Sequence, residues 1–176
     1  MAGFFAMTND EMHGALVKWL SGLLGVKVIK DHQGGKQPAL PYVMVNFTGA
    51  IELRRHAQKV VYEDADTGDM DTGDVFPAVT ATPVIEMEWR YSVHAYGGSP
   101  TDTLRPLVSA MKLAQVLEPL IPDAIVHEIS QIRSVPDWIN ERWQQRAQMD
   151  VFVRGLIRDG HVIDVIEEVS FDVTRT

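Results

Sequence analysis

The sequence predicts a single α+β domain: a mostly antiparallel or mixed β-sheet with two main α-helices packed on it. Three observations carry this. The segments Ile85 to Tyr96 and Ala147 to Val153 alternate apolar and polar residues with the period of a strand. The segments Met12 to Leu23 and Leu104 to Ala114 repeat apolar residues at helical spacing. The strands come in runs between the helices rather than alternating with them one for one, which suits an antiparallel sheet with its helices on one face. The order read from the chain is α-β-β-β-β-α-β-β-β.

Composition narrows the function. The 176 residues form one domain, 1–176, large enough for a real core. The formal charge of −8 argues against a protein whose main task is gripping a nucleic acid backbone. There are no cysteines, so disulfides, thiolate metal sites and a cysteine nucleophile are excluded. No apolar run approaches the ~18 residues of a membrane span. The start, MAGFFAMTNDEM, has no basic region before its short apolar patch and does not read as a signal peptide. The expectation is a soluble product of a cytoplasm, with no membrane partner.

Residues 1–7, with Phe4 and Phe5, read as a flexible or partner-docked tail. Thr8 and Glu11 make a capping box for the first helix, which Gly25 ends. Val26 to Lys30 is a short strand, and Gly34-Gly35 marks a turn. Residues 41–48 are apolar on both faces, as an interior strand is. Ile51 to Val61 continues as a more exposed strand. Residues 63–75 are acidic, contain DTGD twice and read as a protruding loop. Pro77 and Pro83 make the return path extended. Ile85 to Tyr96 ends at Gly97-Gly98. Ser99 is the expected cap of the second helix and Pro100 its first residue. Leu104, Leu107, Val108, Met111 and Ala114 form its buried face, Pro106 is expected to kink or split it, and it should finish by Pro119. Ala124 to Arg133 is a strand. Asp159-Gly160 is a hairpin signal, followed by a last strand, His161 to Thr174, interrupted by Glu167.

The candidate chemistry is thin. Asp64, Asp66, Asp69, Asp71 and Asp74 offer oxygen ligands of the kind calcium prefers, but the EF-hand spacing of glycine and closing glutamate is not met. A solvated loop is the better reading, and no metal or cofactor is expected. The six histidines are scattered; His94 and His127 lie on strands and could approach in space. No nucleophile elbow, phosphate loop or dinucleotide fingerprint occurs in the required context, so no catalytic residue is assigned. Glu86, Glu88 and Arg90 share a strand face, which reads as a salt-bridge row. The strongest cluster is Trp138, Arg142, Trp143 and Arg146. Tryptophan and arginine are the residue types most enriched in binding hot spots, so these four are the candidate subunit interface.

That cluster lies in PDWINERWQQRAQMDVFVRGLI, residues 136–157. A polar arm ending in E-R-W-x-x-R-A-Q-M-D, a long strand, a turn and a final strand resemble the neck or tail terminator proteins of tailed bacteriophages. The resemblance implies a structural virion protein without enzymatic activity. It implies a ring, six subunits in the family, at the neck between head connector and tail. In such a ring the loop with Asp66, Asp69, Asp71 and Asp74 would line the channel, where its charge keeps passing DNA from sticking. Arg54, Arg55 and Lys59 would form a basic patch at one rim. Two other classes stay open beside it. One is a metal-dependent enzyme using the aspartates and strand histidines. The other is a nucleic-acid-binding module using Arg54 to Lys59 with Tyr42 or Tyr62. A different head-completion or connector protein of related shape is a further alternative.

Overall fold

The first helix, α1 (Asn9–Leu24), begins where its capping signals put it. Thr8 Oγ1 accepts the Glu11 N–H at 3.2 Å, and the Glu11 carboxylate accepts the Thr8 N–H at 2.8 Å. Gly25, at φ 64, ends the helix in the left-handed conformation. The structure is a computed structural model and describes residues 8–32, 34, 36–64, 78–113, 120–139 and 141–164. The N-terminal tail, the acidic segment from Ala65 through Asp66, Asp69, Asp71 and Asp74 to Pro77, and the chain beyond Asp164 lie outside those residues.

The second helix, α2 (Pro100–Ala110), differs from expectation in three ways. Ser99 makes no side-chain cap; its carbonyl instead accepts from Thr103 N and Oγ1. Pro106 does not split the helix. Its missing N–H costs one bond to the carbonyl of Asp102, an exposed residue whose acceptor water can satisfy. Val108 is exposed, because the buried stripe runs through Pro100, Leu104, Leu107 and Ala110. Ala114 and Pro119 lie outside the described residues.

Among the described residues ten strands follow in chain order: β1 (Lys27–Lys30), β2 (Tyr42–Glu52), β3 (Lys59–Asp64), β4 (Ala78–Tyr96), β5 (Ala124–Ile129), β6 (Arg133–Ser134), β7 (Asp137–Ile139), β8 (Arg142–Gln144), β9 (Arg146–Arg158) and β10 (His161–Asp164). Eight of them, all but β7 and β8, form one sheet with the path β1-β2-β4-β9-β5. Only β1–β2 is parallel among the described pairs, so the sheet is mixed but mainly antiparallel.

The spine is β4. Its odd-numbered residues are apolar without exception, from Val79 through Ala81, Pro83, Ile85 and Met87 to Trp89, Tyr91, Val93 and Ala95. Trp89, Tyr91, Val93 and Ala95 form the core with Val43 and Val45 of β2, with Ala147, Met149, Val151 and Val153 of β9, and with Met12, Leu16, Leu20, Leu104 and Leu107 of the helices. Trp89 Nε1 also donates to Asn9 Oδ1 at 2.8 Å, which fastens the start of α1 to the sheet. From Glu86 to His94 the opposite face is polar, and each of its side chains is paired with a neighbour. Glu88, 7% exposed, accepts from Arg90 at 3.0 Å and from Arg154 at 3.1 Å. Burial pushes its carboxyl up, but the two guanidinium groups outweigh that and hold it below the usual range. Ser92 donates to Asp150, which also accepts from Arg133.

Four strand expectations need correction. The strand starting at Tyr42 does not end at Thr48. It steps over that residue as a bulge and runs to Glu52, with Thr48 Oγ1 donating to the Arg90 carbonyl at 2.9 Å. The ladder then opens, and β3 resumes along the same edge of β4, so Glu63 and Asp64 are strand rather than loop. Pro83 lies inside β4 instead of before it. Finally, Asp159-Gly160 is not a hairpin turn. β10 pairs with β4 in the register that β9 established, with Arg158 opposite Val84 and His161 opposite Ala81. The gap falls opposite Pro83. The Val84 carbonyl accepts from Gln58 on the β3 side, so by alternation Pro83 faces β9 and β10, where it has no N–H to offer.

Candidate subunit interface

The polar arm is a short hairpin, β7–β8, with Trp138 directly opposite Trp143. A cross-strand pair of this kind shares one face. The rings meet edge to face, centroids 5.1 Å apart at 72°. Trp138 is nevertheless 58% exposed and Trp143 66% exposed. Two indoles fixed against each other and left in water form a preorganised apolar surface. Arg142 is exposed beside them, with no ion pair among the described residues. Trp143, Arg142 and Leu40 also border a notch of about 630 Å³ floored by Gly97 and Gly98. Gly97 has φ 77, and a Cβ there would meet the Leu40 side chain at 2.9 Å, so only glycine closes this wall.

Arg146 has a different position from its three companions. Its Nη1 donates to Asp137 at the foot of the hairpin, its Nη2 donates to His94 Nδ1 at 2.9 Å, and its guanidinium lies 5.6 Å from the centre of the Tyr96 ring. It braces the arm against the sheet. The sequence offered His94 only as a possible neighbour of His127, and did not single out Asp137 or Leu40. His94 and Asp137 reach Arg146 only through folding, and a lone exposed leucine carries no signal.

The brace has a pH consequence. Burial, and then the positive charge of Arg146, lower the pKa of His94 against a partial upward pull from Asp31, Asp150 and Asp137. A neutral imidazole is also what Nδ1 needs to be in order to accept from Arg146. Because the folded value lies below the unfolded one, stability is complete above the unfolded pKa of about 6.5 and declines as pH falls through it. His13, lowered mainly by burial, adds to the same slope. Thermal melts between pH 7 and pH 5 are expected to show falling stability, with a shallower slope for His94→Gln. Equal slopes would separate His94 from the effect.

Of the other candidate residues, Arg54 pairs with Glu86 at 2.9 Å, while Arg55 and Lys59 are exposed. Asp64 is the only one of the five metal-candidate aspartates within the described residues, and no cluster of metal-ligating side chains occurs among those residues. His94 and His127 do not meet. His94 is opposite Gln148, whereas the β5 bulge at His127 lies opposite Val153 and Phe152.

A sequence-family profile described as phage neck terminator protein matches residues 10–176. No curated protein matches. Among solved structures, the chain is similar to the sheath/tube terminator of an extracellular contractile injection system, PVC, in its extended state, with a TM-score of 0.54 at 14% identity. The match covers 98% of this chain and 65% of that one, a little under two thirds of its length. At that identity the likeness is one of fold. The family match spans nearly the whole chain, hairpin and sheet together: the chain belongs to the phage neck terminator proteins.

Proposed function

We propose that this chain is a ring-forming terminator subunit, six to a ring, that caps the tail tube and joins it to the head connector in the virion. The family gives the structural role. The observation that supports self-assembly is the braced Trp138–Trp143 pair: two large indoles held in water, on an arm tied down by Asp137, Arg146 and His94. Function then lies in geometry. Each subunit offers one patch to a different patch on the next, and the ring stops tube growth by presenting a face to which no further tube subunit adds. Arg54, Arg55 and Lys59 serve one rim, and the acidic run Asp66, Asp69, Asp71 and Asp74 lines the channel, where like charge keeps DNA from adhering.

Negative-stain microscopy of the purified chain with tail tubes tests this. Six-fold rings with a central hole, seated at one end of tubes of fixed length, are expected. A chain that binds neither itself nor tubes would overturn the proposal.

A further inference from the structure

The β7–β8 hairpin continues the β6–β9 ladder across a break. Arg133 and Ser134 pair with Gln148 and Ala147, and the Val135 N–H donates to the Arg146 carbonyl at 2.9 Å. There the ladder stops. Pro136 has no N–H to give, and the Gln145 carbonyl accepts from Gly97 N at 3.1 Å instead of from the facing strand. Pairing resumes between Asp137 and Gln144. Beyond the break, among the described residues, the one hydrogen bond from the hairpin to the rest of the fold is that between Asp137 and Arg146. A short two-stranded hairpin held by one side chain is free to turn about its foot once that side chain moves.

Arg146 is held on its other side by His94. Its Nη2 donates to His94 Nδ1 at 2.9 Å, which requires that Nδ1 carry no proton. Its Nε is buried without a protein partner. An unpaired buried donor is costly, so the inward position of the guanidinium depends on its bonds to His94 and Asp137. The groups facing His94 are few. Met44 of β2 and Gln148 of β9 stand opposite it. The Tyr96 ring is 6.5 Å away, and Tyr42 stacks on Tyr96. The charges are Arg146 and Asp150 from β9, Asp31 from the chain after β1, and Asp137 from the hairpin. His32 pairs with Asp31 at 3.1 Å, one step further out. Histidine is the one side-chain type among these whose ordinary pKa lies between pH 5 and 8.

We infer that His94 and Arg146 form an acid-released latch on the hairpin: a proton on His94 Nδ1 expels the guanidinium, Asp137 follows it, and the two indoles turn about Pro136 and Gln145 while the sheet stays folded. A protonated Nδ1 is a donor facing a donor, and a cation facing a cation. Moving outward also brings Arg146 Nε to water. The coupling is reciprocal: whatever fixes the hairpin in place makes His94 harder to protonate. The latch belongs to a single copy and does not depend on how copies assemble.

Fluorine NMR tests the latch on the full chain, below the concentration at which copies associate. The four tryptophans, Trp19, Trp89, Trp138 and Trp143, are replaced by 5-fluorotryptophan. Each resonance is assigned by a single phenylalanine substitution, and circular dichroism follows the fold as pH is lowered. The resonances of Trp138 and Trp143 are expected to shift together, with one midpoint below the ordinary histidine value of about 6.5. Those of Trp19, on α1, and Trp89, on β4, are expected to stay in place. His94→Gln keeps an oxygen that accepts from Arg146 and does not titrate, so both hairpin resonances should hold their neutral-pH positions in acid. Asp137→Ala, at a partly exposed site outside the core, should put them at their acid positions at every pH. Four outcomes overturn the latch: hairpin resonances that do not titrate in the folded chain, that titrate as strongly in His94→Gln, that keep their neutral positions in Asp137→Ala, or that move only together with Trp19 and Trp89.

Discussion

Replacing Trp138 and Trp143 together with alanine is expected to abolish ring formation at concentrations where the wild type assembles, while the subunit stays folded. Both indoles are mostly in water, so truncation opens no cavity in the core. What the fold loses is one cross-strand aromatic contact, worth about 1 kcal/mol within the hairpin. The ladder of β7–β8 and the Asp137–Arg146–His94 brace remain. Assembly loses far more. Buried tryptophans at an interface centre each cost roughly 2 kcal/mol or more on truncation, and two of them amount to about a thousandfold in the association constant. Sedimentation velocity with denaturant melts separates the two effects. Unchanged assembly of the folded double variant would place the interface elsewhere. Arg146→Ala is the informative comparison, because it should lower stability and assembly together: it removes the brace and leaves the indoles in place.

The parts of this molecule that could be read from the sequence are those where one segment carries its own instruction. β9 is buried on one face and shows it as strict alternation, β4 alternates apolar and polar residues from Ile85 to Tyr96 although both its faces are covered, and α1 announces its start through Thr8 and Glu11. What could not be read depends on a neighbouring strand. Asp159-Gly160 has the chemistry of a tight turn, but the free edge of β4 beyond Pro83 continues to pair with whatever follows, and the chain runs straight on. The same edge-following joins β2 and β3 into one interrupted line. The site divides in the same way. Trp138, Trp143 and Arg142 were legible by residue type and spacing. The role of Arg146 was not, because His94 lies 52 positions away in sequence. Nor was the apolar face shared by β3, β4 and β10 legible, since Tyr62, Ala81 and Ile163 come from three strands and make one surface only once register is set.

Register also creates the sharpest steric constraint in the sheet. Gly155 of β9 lies opposite Met87 on one side and Ala124 on the other. A Cβ built on it would fall 2.5 Å from the Asp123 carbonyl oxygen and 2.9 Å from Ala124 Cβ. Neither neighbour is the free end of a flexible side chain. The Asp123 carbonyl accepts from Leu156 N at 3.0 Å, and the Asp123 carboxylate pairs with Arg158, so the loop before β5 is held at two points. Gly155→Ala is therefore expected to pry β5 from β9 and to destabilise the subunit by about 3 kcal/mol, the upper part of the range for overpacking. For a chain of this length that is a fall in melting temperature of roughly 6–12 °C. The same exchange at Gly22, on the exposed side of α1 with nothing near its would-be Cβ, has the opposite sign: a gain of about 0.5–1 kcal/mol from helix propensity. Denaturant melts of the two variants side by side read the pair. If Gly155→Ala melts with or above the wild type, the β5–β9 seam yields to a methyl group and the constraint derived from it does not hold.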